Sequence, residues 1–527
     1  MTDRRNSSTE VLLAAVAALV VAVPFFAATT FLGDDHLFLA FARYAPNPLV
    51  AFVRDQHGGE FYRPLPMVVW WLLGRVAPQT PAVFAALALA LHTIVAIEVG
   101  ALVLLASRDR RTAGLAALLF WISPFTREAA YWFSASTDLL AAAFALGCAI
   151  AAVQERRVLA ALLLAAACWC KETATVTPAL AAVVFIAREP RAPARAVARR
   201  VVSLWPVVGA YLVARALVLR GVGGVGGSGD PAAPAAGKLL QIASGLVHTV
   251  TTSQALGEGP AWLLGLGAWV LMLVALGRGV VRARRTAAAD PSAGGGTRLP
   301  LPQRPIFAPL APLGPLAFVV VALVPLAAAR WLVGARYFYV PAAGVAWLAA
   351  EALRRRPVPA VVGVVCGLAG LGLAQDLSRR TEIQLYEAKL GAARRAVASG
   401  LAEGHTTFHI AAGIKDLDLA VKEDPRTRAA DPSLLVLGDV PASFIAFPES
   451  RRDELALVLA RPPLPPAGAY RFGDRLVAGL ARRGEDPTLD EVTARFPDIR
   501  FIRLRAGPEG RVIARDVTGL PAPEDDD

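Results

Sequence analysis

The sequence predicts an all-α polytopic membrane protein of about eleven transmembrane helices, with a small extracytoplasmic α/β domain at its C-terminal end. Three observations predict it. The 527 residues are 55% hydrophobic and only 18% charged, with mean hydropathy +0.50; soluble domains carry about a quarter charged residues. Apolar runs near membrane-spanning length recur from residue 11 to 375. Beyond 376 the character changes to charged segments with short alternating runs.

Taken in order, the first apolar run, 11–32, follows Arg4 and Arg5. It is read as a retained span, since no small-residue cleavage site precedes a mature domain. Segment 65–77, "LPMVVWWLLGRVA", is short and carries paired tryptophans, which suits an interfacial helix or a re-entrant start to the next span. Spans follow near 80–106, 112–126, 131–153, 158–170, 173–187 and 200–219. Four more lie near 260–279, 307–330, 336–353 and 357–375. Residues 220–237 and 286–305 are Gly/Pro-rich or basic connectors. The predicted domains are therefore a transmembrane module, 1–375, and a C-terminal domain, 376–527. In the latter, "TTFHIAA", "SLLVLGD" and "IRFIRLRA" read as strands, 382–400 and 474–483 as amphipathic helices, and "APEDDD" as a disordered tail.

The net charge of +12 does not indicate nucleic acid. Its basic residues sit in short loops: Arg108 to Arg111, Arg156-Arg157, Arg188 to Arg200, Arg278 to Arg285 and Arg354 to Arg356. That is the pattern of cytoplasmic loops, and a cell inner membrane is the expected location. Alternation then sends 33–64, "SPFTREAAYW", "CKET", "RWLVGARYFYV" and the C-terminal domain to the extracytoplasmic face. Cys148, Cys168, Cys170 and Cys366 lie in apolar runs and read as core residues rather than a disulfide framework.

The polar residues left on the outer face carry the chemistry. Asp34-Asp35 open the first outer loop in "FLGDDHLF". Adjacent carboxylates just past a span need water, a partner charge or a substrate, and either acid suits a catalytic base. Arg63 in "YRPLP" is held beside a proline, either as an interfacial anchor or as a fork for phosphate. Glu128 and Trp132 in "TREAAYWFSASTDLL" share a helix face. Asp138 lies deeper, either in a buried salt bridge or at a site. Lys171-Glu172 either caps a hairpin or brings Lys171 to a lipid phosphate. Arg336 and Tyr337 in "RYFYVP" suit either an aromatic belt or a phosphosugar site. His36 has no second histidine at ligand spacing, so no metal is expected; His92 reads as a hydrogen-bonding group within the bundle. No cofactor is expected.

With these residues in place, the chain resembles the polytopic C-type (GT-C) glycosyltransferases that use lipid-phosphate sugars. It looks closest to the protein O-mannosyltransferase-like branch, including the membrane module of the TPR-containing members. The matching stretches are "GDDHLF", "YRPL", "REAAYWFSASTDLLAAAFAL", "CKETATVTPAL" and "RYFYVPAAG", in the family's order. The resemblance implies an inverting sugar transfer from a polyprenyl-phosphate donor to an extracytoplasmic acceptor, within membrane lipids. It implies Asp34 as catalytic base with Asp35 beside it, and Arg63 at the lipid phosphate. Glu128, Trp132, Lys171, Arg336 and Tyr337 are the other expected substrate-binding residues. The chain departs from the family at Thr137, where a basic residue is common, and no TPR pattern follows residue 376. A transporter or flippase, or a non-catalytic binding protein for lipid-linked sugars, is the competing reading; the transporter expects a repeat symmetry that the sequence does not show, and intact Asp34 and Arg63 weigh against the non-catalytic protein.

Overall fold

The computed structural model describes residues 61–77, 80–219, 313–327 and 335–373, together with parts of 31–53, three residues near 400 and the backbone of six strands. The chain divides into two compact units. One comprises Met1–Ala27, Gly59–Pro66 and Ala82–Gln375; the other comprises Ala28–Gly58, Met67–Pro81 and Asp376–Asp527. All but Phe31 of the span expected at 11–32, and the whole of that at 260–279, lie outside the described residues. So do the two connectors, most of 382–400, "SLLVLGD" and the acidic tail.

The described helices are α1 (Pro64–Val76), α2 (Pro81–Ser107), α3 (Arg110–Trp121), α4 (Pro124–Tyr131), α5 (Ser136–Val153) and α6 (Arg157–Cys170). After these come α7 (Thr177–Arg188), α8 (Ala194–Val201), α9 (Trp205–Leu219), α10 (Gly314–Ala327), α11 (Tyr339–Leu353) and α12 (Val358–Leu373). Among the described residues three helical stretches are long and apolar enough to cross a membrane: Pro81–Ser107, Phe133–Val153 and Ala194–Leu219. At 1.5 Å per residue, α2 extends about 40 Å, more than a bilayer's hydrocarbon core.

The stretch expected as one span at 112–126 is instead two helices. Ser123 caps α4 through its hydroxyl, which accepts from the Phe125 amide, and Pro124 takes the first helical position. A proline there lacks the amide that would continue α3. The run 173–187 likewise begins as a 3-10 turn, Glu172–Val176, before α7.

Within the first unit, α5 is the central helix. It packs against α4, α6, α7 and α11. Most of its span is buried, whereas Ala194–Leu219 keeps most of its surface outward. Small residues set the close approaches. A Cβ on Gly344 of α11 would lie 2.6 Å from Val319 Cγ2 and 3.0 Å from the Val319 backbone nitrogen of α10. Glycine there lets the two backbones meet, as at other membrane helix interfaces.

The direction of each helix places the charges. α5, α7 and α11 each end in an arginine-bearing turn, at Arg156, Arg188 and Arg354. α6 runs the other way, starting at Arg157 and ending at Lys171. Hydrogen bonds draw these turns together: Arg111 donates to the Arg356 carbonyl at 3.4 Å, and Arg200 donates to the Val153 carbonyl and pairs with Glu155. One end of the packed helices is thus arginine-rich. Asp138, Lys171, Glu172, Arg336 and Tyr337 lie at or beside the opposite ends of the same helices.

In the second unit, six strands form one mixed sheet in the order β3-β4-β2-β1-β5-β6. These are β1 (Phe408–Ala412), β2 (Ser443–Phe447), β3 (Ala469–Phe472), β4 (Arg475–Leu480), β5 (Arg500–Ala506) and β6 (Val512–Asp516). β1 pairs parallel with β5, and the other neighbours are antiparallel. Two expected strands are found at β1 and β5. The helix expected over 474–483 is instead β4: it pairs on both sides, with β2 and β3, and this non-local ladder overrides the local helical pattern.

Candidate functional site

Three carboxylates and four cations converge in the first unit, on the side of α5 away from the arginine-rich turns. Arg63, at the start of α1, grips Glu172 with a two-pronged contact. Its Nε donates to Oε2 at 3.1 Å and its Nη2 to Oε1 at 2.7 Å. The guanidinium also rests 4.1 Å over the Phe61 ring. Arg215, from α9, brings its Nη1 to 3.9 Å from the same Glu172 Oε2. It is held by a hydrogen bond to the Tyr211 side chain one turn earlier. Tyr211 stacks on Tyr62 at 6.1 Å, which fixes the strand of chain carrying Arg63 against α9.

Lys171, the cap of α6, crosses to α5. Its Nζ donates to Asp138 Oδ1 and sits 4.4 Å over the Tyr337 ring. Arg336 occupies the short 3-10 turn Ala335–Phe338 that leads into α11. Its backbone amide donates to Glu128 Oε2 at 2.9 Å and its Nη1 reaches Oε1 at 3.5 Å. The Arg336 guanidinium lies 4.1 Å over Trp132 and 5.2 Å from the Tyr337 ring centre. Tyr337 therefore carries two cations, one from each ion pair, and joins them into one cluster. Ring faces attract cations through their quadrupole, most strongly where water is excluded.

Burial divides the cluster into a floor and a rim. Lys171, Asp138, Glu128 and Trp132 are buried. Arg63, Glu172, Arg336 and Tyr337 remain partly exposed, with Glu172 the most open of the charged side chains at 32%. Buried charges of this kind persist only when paired and hydrogen-bonded. Burial alone would push the Glu172 carboxyl up, but the Arg63 guanidinium, aided by Lys171, more than reverses this and holds it down at about 2. The same pairing raises Arg63 above its ordinary range despite the opposing effect of burial.

All six expected substrate-binding residues, Arg63, Glu128, Trp132, Lys171, Arg336 and Tyr337, thus meet in one place. Their arrangement refines the expectation. Arg63's fork is taken by Glu172, and Trp132 lies buried under Arg336 rather than presenting an open face. The sequence reading missed Arg215, absorbed into a span; a lone arginine in an apolar helix is itself a site signal. Of the acid pair, Asp35 lies in a helical turn of the second unit and is fully buried. Asp34 and His36 lie outside the described residues. Among the described residues no group of three His, Cys, Asp or Glu side chains is placed to hold a metal ion.

His92 of α2 belongs to the bundle. Its Nε2 lies 3.0 Å from the Trp121 carbonyl, which can only accept, so this nitrogen carries the proton. Nδ1 then accepts from the Tyr339 hydroxyl at 2.7 Å.

No protein-family model and no curated protein sequence matches the chain. Among solved structures it is similar to the crystal structure of the Archaeoglobus fulgidus oligosaccharyltransferase in the apo form, at 12% identity and a TM-score of 0.36. The similarity covers 70% of this chain, which spans 56% of the length of that one. A likeness at this level leaves the functional reading to the cluster itself.

Proposed function

We propose that this chain is an integral-membrane, inverting glycosyltransferase that moves a sugar from a polyprenyl-phosphate donor to an extracytoplasmic acceptor. The observation that supports it is the cluster on Tyr337. Arg63, Lys171 and Arg336 gather at the helix ends opposite the arginine-rich turns, the face that the charge rule assigns to the outside of an inner membrane. The fold expectation goes with this reading: a GT-C-like membrane module of about eleven spans, protein O-mannosyltransferase-like, with an extracytoplasmic C-terminal α/β domain.

In this mechanism Asp34 takes the acceptor hydroxyl proton as that oxygen attacks the anomeric carbon. The bond from that carbon to the phosphate oxygen breaks, and the phosphate gains one negative charge. Arg63 and Arg336 on the rim stabilise that charge as it develops. Tyr337 lines the same rim. Lys171, Glu128 and Trp132 position the rim from beneath, and Asp35 supports Asp34.

The test is release of polyprenyl phosphate by purified protein from a panel of lipid-linked sugars, scored together with sugar transfer. Release coupled to transfer is the expected result. Movement of intact lipid-linked sugar across a bilayer without release would replace this reading with a transporter.

A further inference from the structure

The Arg63–Glu172–Arg215 arrangement has the composition of an anion site that is already filled. Two guanidinium groups face one carboxylate: Arg63 through two hydrogen bonds at 2.7 and 3.1 Å, Arg215 at 3.9 Å. Both arginines are anchored from behind. Arg63 is backed by Phe61, and Arg215 by Tyr211, which itself stacks on Tyr62. The carboxylate is held more lightly: apart from the cations, it takes a hydrogen bond from its own backbone amide. Glu172 begins a short 3-10 turn without a side-chain cap, and its side chain is 32% exposed against 9% for Asp138 and 6% for Glu128.

That difference decides which carboxylate can leave. A displaced carboxylate must be rehydrated, and desolvated charges without partners are costly. Asp138 and Glu128 would have to carry their charge through packed surroundings. Glu172 is already about a third exposed. A phosphate oxygen pair matches the arginine fork as well as a carboxylate does, and it carries more acceptor oxygens.

We infer that Arg63 and Arg215 form a two-arginine phosphate cradle, and that Glu172 is its resident anion, displaced when the donor's phosphate binds. This rests on the proposed use of a polyprenyl-phosphate-linked donor and deepens it. It assigns Arg215 as a second phosphate contact, and Glu172 as the residue that tunes affinity by competing for the cradle. The resident anion also occupies the Arg63 fork and offsets one of the two guanidinium charges while no donor is bound, which weakens the cradle's pull on unrelated anions.

The reading predicts an unusual sign. Removing a residue beside a binding site normally weakens binding. Here Glu172→Gln removes the competitor, so affinity for phosphate should rise. If the closed pair holds roughly nine molecules in ten, opening it tightens the apparent Kd about tenfold. Glu172→Asp keeps the charge but shortens the reach and breaks the two-pronged fit, so it should tighten binding by a smaller factor.

The experiment uses the full chain in nanodiscs, with a polyprenyl monophosphate bearing no sugar as the probe and its affinity as the readout. Arg63→Ala and Arg215→Ala are measured alongside. The expected result is tighter binding by Glu172→Gln and Glu172→Asp, and weaker binding by both arginine variants. Weaker binding by either folded Glu172 variant, with Arg63→Ala also weakened, overturns the exchange but leaves the phosphate site standing. Wild-type affinity in both arginine variants overturns the phosphate reading as well. Should Glu172→Gln not fold, Glu172→Asp alone decides the sign.

Discussion

Lys171 and Asp138, 33 residues apart in the chain, meet at the buried junction of α6 and α5, where Lys171 Nζ donates to Asp138 Oδ1. Each charge answers the other, and Lys171 is also covered by the Tyr337 ring. Removing one partner leaves an uncompensated charge in the interior, which costs about 3–5 kcal/mol. Lys171→Met and Asp138→Leu should each lower thermal stability sharply in detergent. The double variant should recover much of the loss, because both charges leave together. Equal melting temperatures for the single and double variants would show that the pair is not coupled.

Three of the cluster's four cations were legible in the sequence, whereas the pairing of each with its carboxylate was not. A charge in an apolar run is costly enough to mark Arg63, Lys171 and Arg336 without any knowledge of packing. Which carboxylate each one meets depends on helix contacts between distant segments, as with Arg336 and Glu128 across 208 residues. The break before α4 was also written in the chain, as Ser123-Pro124, but the apolar run around it masked the signal. β4 was illegible for a different reason: its six residues read locally as amphipathic helix, and only pairing on both edges makes them a strand.

Glu172 gives a pH signature. Its carboxyl is held at about 2 rather than the ordinary 4.5, so the folded state binds its proton more weakly than the unfolded chain does. The Arg63 pair therefore contributes stability that is fully present above pH 4.5 and is lost as pH falls from there towards 2. Thermal unfolding of the wild type between pH 6 and 2 should show this decline. Glu172→Gln should start lower and decline less over the same window. A parallel decline in the two proteins would remove Glu172 as its source.

Arg336 is held by Glu128 below and by the ring faces of Trp132 and Tyr337. Trp132 is buried, so in the proposed reading it acts through Arg336 rather than on a ligand directly. Trp132→Phe retains a ring face and should keep most of the turnover. Trp132→Ala and Glu128→Gln should each weaken donor use, and combining them should cost less than the sum of their separate effects, since both release the same guanidinium. Strict additivity in kcat/KM would indicate independent roles.

Of the acid pair, Asp35 is the described member. Asp35 is fully buried in its helical turn, and a carboxylate with no access to solvent is poorly placed to take a proton from an arriving hydroxyl. The proposed transfer gives the proton-accepting role to Asp34, as the family resemblance implies. Asp34→Asn is nearly isosteric and removes the base, so turnover of a lipid-linked sugar should fall roughly a hundredfold to ten-thousandfold. Donor affinity and thermal stability should stay near wild type, because the base acts on the acceptor and not on the phosphate. Asp35→Asn should show the opposite balance. A buried carboxylate that loses its charge disturbs its hydrogen bonds, which costs about 1–3 kcal/mol, with a smaller loss of turnover in the molecules that remain folded. Measuring turnover, donor affinity and melting temperature for both variants separates the two roles. Full turnover by Asp34→Asn with loss in a folded Asp35→Asn would exchange them. Full turnover in both would take the pair out of the chemistry and leave the cation cluster as a binding site.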